Sequence, residues 1–366
     1  MTVPRKVGIL TLPLYVNYGG ILQAAALYRV LSDQGHQPVF LERRRDRKPH
    51  KQLARLIAEN LPFLDIKGFR TMARRSGKHR PFIQNNMSVR SRPLRTVSDL
   101  RKAVSEHDLD AVIVGSDQVW RPEYHGDQTP LAYWLNFVDP RRSKRIAYAA
   151  SFGKAVWERP DLDGRIAPLL ADFHAVSVRE ASGIEICARH FAYDDAKVMI
   201  DPAMLVDRAF YDDIATVPSD AEGTFLNYIL GLNDTSIEDL TRLGAELPGV
   251  SRTKFLRLSL GGDDITINDW VGYFRAAKYV FTDSFHGTAL SILNEKPFVS
   301  LANKRGGEDR FVNVLGLLGL EDRLVEHADI GKVAELMKQP IDYVAVRARL
   351  EELRADATEF LANALA

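Results

Sequence analysis

The sequence predicts an α/β protein of two domains, each built on a mainly parallel sheet. Three observations support this fold class. Short apolar runs typical of buried strands alternate with helical segments, and the alternation restarts near residue 202 after an Asp-Pro pair. The chain has 366 residues, which is long for one core. Small polar residues also follow several strands directly, as at ligand-binding edges of such sheets. We expect a first domain over residues 1–201, a second over 202–342, and a last helix over 343–366 packing back on the first.

Composition excludes several classes of protein. Hydrophobic residues make up 46% of the chain and charged residues 27%, which is ordinary for a soluble globular protein. A single cysteine, Cys187, excludes an internal disulfide framework, and no Cys/His cluster indicates a metal site. No apolar run is long enough to cross a bilayer, and no signal peptide precedes the first strand. We therefore expect a cytoplasmic protein.

The first βαβ unit covers a strand at residues 7–12, a helix at 21–31 and a strand at 39–41. Its glycine pair lets backbone approach a ligand at the helix N-terminus. The pattern is not GxGxxG, and its amides suit hydroxyl groups better than a diphosphate, so a dinucleotide is not expected. A glycine pair that only permits a sharp turn is the open alternative. The candidate acceptor-binding residues here are Asn17, Tyr18, Gly19, Gly20 and Gln23.

Residues 42–102, called the basic segment below, hold 18 Lys/Arg against 5 Asp/Glu and an interrupted apolar stripe. The default interpretation is a solvated helical insertion whose stripe packs on the first domain. A sharper hypothesis is a basic amphipathic surface that meets anionic lipid headgroups at the inner face of the membrane, or an anionic glycan. No RNA- or DNA-binding motif accompanies the charge, so nucleic acid is not an expected partner.

Further candidates follow the strands at residues 110–114 and 145–150. Polar side chains there can bind sugar hydroxyls, and an indole can offer an apolar face to a sugar ring. A capping turn with a buried Trp120 is the alternative. These candidates are Ser116, Asp117, Gln118, Trp120 and Ser151.

Arg179 and His286 are the candidates for anion binding and catalysis. Arg179 ends a strand at residues 174–179, where a guanidinium can grip an anion in bidentate fashion; an ion pair with Glu180 or a nearby Asp is the alternative. Residues 279–293 read as strand, tight polar turn and helix, with Ser284 or Asp283 as N-cap. His286 then lies in the first helical turn, beside any anion held there. The alternative is a histidine that only bonds a neighbouring loop.

With these residues identified, the chain resembles the polysaccharide pyruvyl transferase family. The matching stretches are NYGGILQAAAL (17–27), VGSDQVW (114–120), YAASFG (148–153), SVRE (177–180), DP (201–202), TDSFHGTALSILNEKPF (282–298) and EDRF (308–311). The resemblance implies two Rossmann-like domains facing across a cleft, as in glycosyltransferases of the B type. It also implies phosphoenolpyruvate as donor and a sugar hydroxyl pair, free or on a lipid-linked oligosaccharide, as acceptor. The products are a pyruvate ketal on a cell-surface or exopolysaccharide precursor and phosphate.

The resemblance also assigns roles. The catalytic histidine falls on His286, the anion-binding arginine on Arg179, and a further cation on Lys304 or Arg305. Relatives often carry an arginine two residues before the histidine, where this chain has Ser284. We expect Arg305 or Arg310 to replace that contact, unless the donor differs. The implied donor-binding set is Ser284, Phe285, Gly287, Lys304, Arg305 and Arg310.

The implied chemistry needs no metal or organic cofactor. His286 as imidazolium protonates the methylene carbon of the donor, and later accepts a hydroxyl proton. We expect the bound donor, together with Asp283, to raise the pKa of His286. Two alternatives remain open: a glycosyltransferase that uses a nucleotide sugar, and a non-catalytic glycan-binding protein on the same scaffold.

Overall fold

The computed structural model describes residues 3–44, 69–124, 131–231, 237–258, 263–302 and 307–366, with only the backbone described for residues 69–73. The first domain has a parallel sheet of strand order β2-β1-β3-β4-β5-β6. Its strands are β1 Lys6–Leu10, β2 Gln37–Phe40, β3 Ala111–Gly115, β4 Lys144–Ala150, β5 Ala175–Val178 and β6 Lys197–Val198. The five residues of β3 are all buried, as expected for a strand covered on both faces.

Helices cover this sheet and follow the strands. They are α1 Tyr18–Asp33, α2 Phe69–Lys78, α3 Arg80–Asn86, α4 Val97–Glu106, α5 Asp163–Ala171 and α6 Ser182–Phe191. Helix α1 begins at Asn17, whose Oδ1 accepts a hydrogen bond from the backbone N–H of Gly20 at 3.0 Å. Twelve of its sixteen residues are buried, so α1 is an internal helix rather than a surface one.

The second domain repeats the architecture with a parallel sheet of order β11-β10-β9-β7-β8. Its strands are β7 Thr224–Tyr228, β8 Arg252–Leu256, β9 Tyr279–Thr282, β10 Phe298–Leu301 and β11 Leu324–Val325. Its helices are α7 Arg208–Ile214, α8 Ile237–Glu246, α9 Ile267–Ala276, α10 Phe285–Leu293, α11 Glu308–Leu318 and α12 Ile330–Lys338. The predicted fold class, with two parallel-sheet α/β domains, is confirmed.

The last helix, α13 Tyr343–Leu365, contacts both domains. At its start the hydroxyl of Tyr343 donates to the carbonyl of Lys296 at 2.5 Å. At its end the carbonyl of Ala366 accepts from the guanidinium of Arg5 at 2.8 Å. Arg354 donates to two backbone carbonyls in the segment that links the two sheets. The helix therefore ties the ends of the chain across both domains.

Helix α2, in the described part of the basic segment, docks on the second domain. Buried Arg75 donates to the carbonyls of Leu258 and Asp263 at 3.2 and 3.0 Å. Lys78 donates to the carbonyl of Asp264 at 2.7 Å and lies 3.0 Å from its carboxylate. These cations do not form a free solvated face, because backbone carbonyls and a carboxylate of the facing domain bind them. Residues 45–68, which carry much of the predicted stripe, lie outside the described residues.

Among the described residues there is neither a candidate membrane-spanning helix nor a candidate metal-binding group. Within them, no helix combines the length and the hydropathy needed to cross a bilayer. Over the same ranges, no group of three or more His, Cys, Asp or Glu side chains could hold a metal ion.

Candidate active site

The site is built on the turn from β9 into α10. Ser284 is the N-cap, and its Oγ accepts from the backbone N–H of Gly287 at 3.3 Å. A Cβ at Gly287 would lie 2.4 Å from Oγ1 of Thr282, so only glycine lets the helix start this close to its strand. His286 follows in the first helical turn and is 8% exposed. Ser284 therefore caps the helix. Its hydroxyl is not a substitute for the arginine that relatives often carry at this position.

The imidazole of His286 reaches across to the first domain and lies on the backbone of Gly19. A Cβ at Gly19 would be 2.0 Å from Nδ1 of His286, which leaves no space for any other residue. Gly19 lies in the first turn of α1, and His286 lies in the first turn of α10. The positive ends of two helices, one from each domain, therefore converge on the imidazole and favour a bound anion.

Asp201 lies beneath this imidazole, at the end of the segment that follows β6. Its Oδ2 accepts from Oγ of Ser116 at 2.9 Å and from Nη1 of Arg179 at 2.6 Å, and lies 3.7 Å from Nε2 of His286. Its Oδ1 accepts from the backbone N–H of Ala203 at 2.9 Å. In the sequence, Asp201 was interpreted as a domain boundary and not as a site residue. Its place shortly after the last strand of the first sheet was the signal that could have found it.

Arg179 is 2% exposed, and only part of its guanidinium is paired. Nη1 donates to Asp201, whereas Nε and Nη2 have no hydrogen-bond partner. The guanidinium lies over the ring of Phe285, with Cζ of Arg179 4.7 Å from the ring centroid. Nε and Nη2 form one edge of the guanidinium, which is the edge that binds a carboxylate or phosphate in bidentate geometry. Although Nη1 pairs with Asp201, the buried Nε/Nη2 edge keeps two donors for a further anion.

Arg310, in the first turn of α11, provides a second guanidinium at the same aromatic ring, 5.7 Å from the centroid of Phe285. Its Nε has no partner. The guanidinium lies against Gly307, whose φ of +109° and missing Cβ make room for it. Burial and the positive charge of Arg179 lower the pKa of Arg310 to about 10. Two cations thus share one ring, and each has an unpaired donor.

The protonation of His286 is set by these neighbours. Burial lowers the pKa of its imidazole, and the charges of Arg179 and Arg310 lower it further, whereas the carboxylates of Asp201 and Asp117 oppose them. For Asp201, burial alone would raise the pKa, but the charges of His286 and Arg179 hold it below its usual range. Burial therefore favours the neutral imidazole, and negative charge brought by a ligand would favour the protonated one.

Asp283, which the sequence analysis placed beside the imidazole, has a different position. Its carboxylate accepts from the backbone N–H groups of Leu230 and Gly231 at 2.6 and 2.9 Å, so it orders the chain after β7. Burial raises the pKa of Asp283. The carboxylate that faces His286 is Asp201.

Some of the acceptor-side candidates lie next to this centre. Nδ2 of Asn17 donates to Oδ2 of Asp117 at 2.7 Å, and both pack against the backbone of Gly20. Ser116 bonds Asp201, as described above. Gln118 is 9% exposed, and its Oε1 accepts from Nη1 of Arg121 at 2.8 Å.

Other candidates are not brought to the cleft surface. The amide of Gln23, fully buried, bonds Oγ1 of Thr11, the carbonyl of Gly20 and the N–H of Ser116. Trp120 is also fully buried; its indole N–H donates to the carbonyl of Tyr133, and its ring stacks on Trp134 at 4.4 Å. These two side chains therefore hold the first domain together, because their polar atoms already have internal partners.

Four further candidates differ from expectation or lie outside the described residues. Ser151 is fully buried, and its Oγ donates to Oε1 of Glu180 at 3.0 Å. The hydroxyl of Tyr18 donates to the carbonyl of Ile265 in the second domain at 2.7 Å, so Tyr18 joins the domains. Lys304 and Arg305 lie outside the described residues, so Arg310 is the described cation of that loop region.

Comparisons with known proteins agree with this architecture. No curated protein sequence matches the chain. Among solved structures, the chain is similar to the glycotransferase of kitacinnamycin, with 15% identity, a TM-score of 0.50, and 99% of this chain and 98% of that chain covered. It is also similar to UDP-GlcNAc 2-epimerase from Neisseria meningitidis, with 10% identity, a TM-score of 0.51, and 98% and 99% covered. These likenesses show the fold, which is of the glycosyltransferase-B type.

A family profile carries the comparison further than the fold. The profile described as "Polysaccharide pyruvyl transferase" matches residues 17–305. The match begins at the N-cap of α1 and includes Asp201 and His286, so it spans both sides of the site. The chain belongs to the polysaccharide pyruvyl transferase family.

Proposed function

We propose that this protein transfers the enolpyruvyl group of phosphoenolpyruvate to two hydroxyl groups of a sugar, forming a pyruvate ketal and releasing phosphate. One observation carries the proposal: the buried edge of Arg179 and Nε of Arg310 have no partner, beside an imidazole at two helix N-termini. Phosphoenolpyruvate offers the two anionic groups that such a set of donors lacks. A neutral sugar alone would give these unpaired guanidinium donors no anionic partner.

The roles follow from the contacts. Arg179 uses its Nε/Nη2 edge for one anionic group of the donor, and Arg310 binds the other. Arg310 thereby supplies the contact that Ser284 cannot make, since its guanidinium shares the Phe285 ring with Arg179. Loss of one such charge costs about 3–4 kcal/mol of transition-state stabilisation.

The proposed reaction balances without a further reactant. Nε2 of His286 gives a proton to the methylene carbon, which becomes a methyl group, and a sugar oxygen bonds to the adjacent carbon. The bond from that carbon to the phosphate oxygen then breaks, and the second sugar oxygen takes its place. Of the two hydroxyl protons released, one restores His286 and the other leaves with phosphate. The dianion that binds first raises the pKa of the imidazole, so that the acid forms in the loaded protein.

The acceptor side is proposed from position. Ser116 bonds Asp201, which lies 3.7 Å from the imidazole, while Asn17 and Asp117 pack against Gly20, next to the glycine on which the imidazole lies. Gln118 follows Asp117 in the chain. Their polar atoms suit sugar hydroxyls. A sugar or lipid-linked oligosaccharide that enters here would meet the donor opposite His286.

Thermal melting with ligands tests the donor. Phosphoenolpyruvate should raise the melting midpoint, and UDP-hexoses should not, because a ligand that binds only the native state stabilises it. Phosphate release is then measured with phosphoenolpyruvate and a panel of hexopyranosides. Stabilisation by UDP-hexoses alone would replace this proposal with a nucleotide-sugar glycosyltransferase. Binding of sugars without phosphate release from any of them would indicate a glycan-binding protein.

A further inference from the structure

We propose that Asp201 is a positioning residue: one of its carboxylate oxygens holds both Arg179 and His286 in the geometry that receives the donor. This proposal rests on the proposed function. Asp201 is 1% exposed. Oδ2 lies 2.6 Å from Nη1 of Arg179, 2.9 Å from Oγ of Ser116 and 3.7 Å from Nε2 of His286. Ser116 and Arg179 follow two different strands of the first domain, and His286 comes from the facing domain.

Asp201 acts through its neighbours, since its own oxygens are occupied. Oδ1 is held by the N–H of Ala203, and Oδ2 by Ser116 and Arg179. The bond to Nη1 fixes the rotation of the guanidinium, and the Phe285 ring fixes its plane. As a result the Nε/Nη2 edge points away from Asp201 with both donors unpaired. Without the carboxylate, Arg179 would be free to turn its other edge to the anion.

The same carboxylate balances the charges around the imidazole. His286 faces the carboxylates of Asp201 and Asp117 and the guanidiniums of Arg179 and Arg310. Asp201 also lies near the buried hydroxyls of Tyr148 and Tyr211, which donate to the carbonyls of Ile200 and Ala203. Neither phenol therefore competes for Nε2. Removing the charge of Asp201 would leave the imidazole facing two guanidiniums with only Asp117 to oppose them.

The test follows the His286 imidazole by NMR in the donor-free protein, with its signal identified by its loss in His286→Asn. In Asp201→Asn the pKa of His286 should fall by about one unit or more, because an opposite charge within ~4 Å is lost. Asp117→Asn is the matched control. It should give a smaller fall, because Asp201, and not Asp117, has a carboxylate oxygen within 4 Å of a ring nitrogen of His286.

A second variant has the opposite expected sign. Ser116→Ala removes one hydrogen bond from Oδ2, so the carboxylate attracts the imidazolium more strongly and the pKa of His286 should rise by a few tenths. This variant also covers the case in which Asp201→Asn does not fold. No upward shift in Ser116→Ala, or an unchanged pKa in Asp201→Asn, would overturn the proposal.

The pH dependence of phosphate release gives an independent reading. In Asp201→Asn the limb on which kcat/KM falls with rising pH should move to lower pH, in parallel with the NMR titration. A purely structural role would lower the plateau and leave that limb in place. Absence of phosphate release by the wild-type protein would contradict the proposed function. It would not contradict the positioning role of Asp201, since the titration of the donor-free protein does not depend on phosphate release.

Discussion

Two buried histidines flank the first turn of α1, and the difference between their surroundings shows what marks the site. His79 packs edge-on against Tyr18 at 4.6 Å, and His286 lies on Gly19, the next residue. Both side chains are buried between the domains. Burial lowers the pKa of both imidazoles, that of His79 to about 4. Burial and position alone therefore do not distinguish them.

The cations around each histidine distinguish the two sites. Near His79, Arg75 and Lys78 donate to carbonyls of the second domain, and Lys78 also pairs with the carboxylate of Asp264. Around His286, donors on Arg179 and Arg310 have no oxygen partner. The first arrangement joins the two domains through these bonds, although both ring nitrogens of His79 have no partner among the described residues. In the second, the carboxylates of Asp201 and Asp117 face the two guanidiniums, and the donors that have no partner belong to the guanidiniums, which suit a further anion.

The largest expected effect separates the two histidines by activity. His286→Asn should lower phosphate release by about 10²–10⁴-fold, because the proposed general acid is lost while the shape is kept. His79→Asn should change it by less than about tenfold, as no donor contact is removed. Initial rates with saturating phosphoenolpyruvate and matched melting curves are the measurements. Equal losses in the two folded variants would assign the chemistry elsewhere.

A smaller effect is expected where the imidazole contacts the facing helix. Gly19→Ala would put a Cβ 2.0 Å from Nδ1 of His286 and displace the ring. A misplacement of ~1 Å costs on the order of 10²-fold in rate. Gly164→Ala is the control, because a Cβ there meets nothing within 4 Å; it should leave the rate unchanged and stabilise α5 by about 0.5–1 kcal/mol. Unchanged rates in a folded Gly19→Ala variant would contradict the close approach.

The sequence predicted the fold better than it predicted the use of each side chain. Apolar runs and glycine-bearing loops fixed the order of strands and helices, because parallel strands buried on both faces have a strong local pattern. The turn that carries His286 and the strand end that carries Arg179 were also readable locally. Their placement at one centre depends on how two domains face each other, which no local pattern encodes.

Side chains that serve the interior were the hardest to predict. Gln23 lies in the helix of the first predicted βαβ unit and Trp120 in the turn after a strand, both near polar residues typical of sugar sites. Both are nevertheless fully buried with internal partners. Asp201 was the reverse case, a residue treated as a boundary that bonds across the site. Polar satisfaction depends on contacts distant in sequence, so the same residue pattern serves either role.

The smallest expected effect distinguishes the two histidines by stability in acid. The pKa of His79 is lowered from 6.5 to about 4 in the folded protein, so the unfolded chain binds its proton more readily. Keeping His79 neutral therefore costs no stability well above pH 6.5, but the free energy of unfolding decreases as the pH falls toward 4. The decrease is about 2 kcal/mol by pH 5. Urea unfolding of wild type and His79→Asn at pH 7.5 and 5 should show a weaker acid dependence in the variant.

Added phosphate sharpens this comparison, because the pKa of His286 is lowered as well and its protonation also destabilises the fold in acid. An anion bound by Arg179 and Arg310 compensates an imidazolium at position 286. It does not compensate an imidazolium at position 79, whose charged neighbours are different residues. At pH 5, inorganic phosphate should therefore restore stability to His79→Asn more completely than to the wild type. It should stabilise His286→Asn less than His79→Asn, because Arg179 and Arg310 still bind the anion there but no imidazolium is compensated. If phosphate were to stabilise His286→Asn as much as His79→Asn, the anion would bind without regard to the imidazole, and the electrostatic distinction between the two histidines would fail.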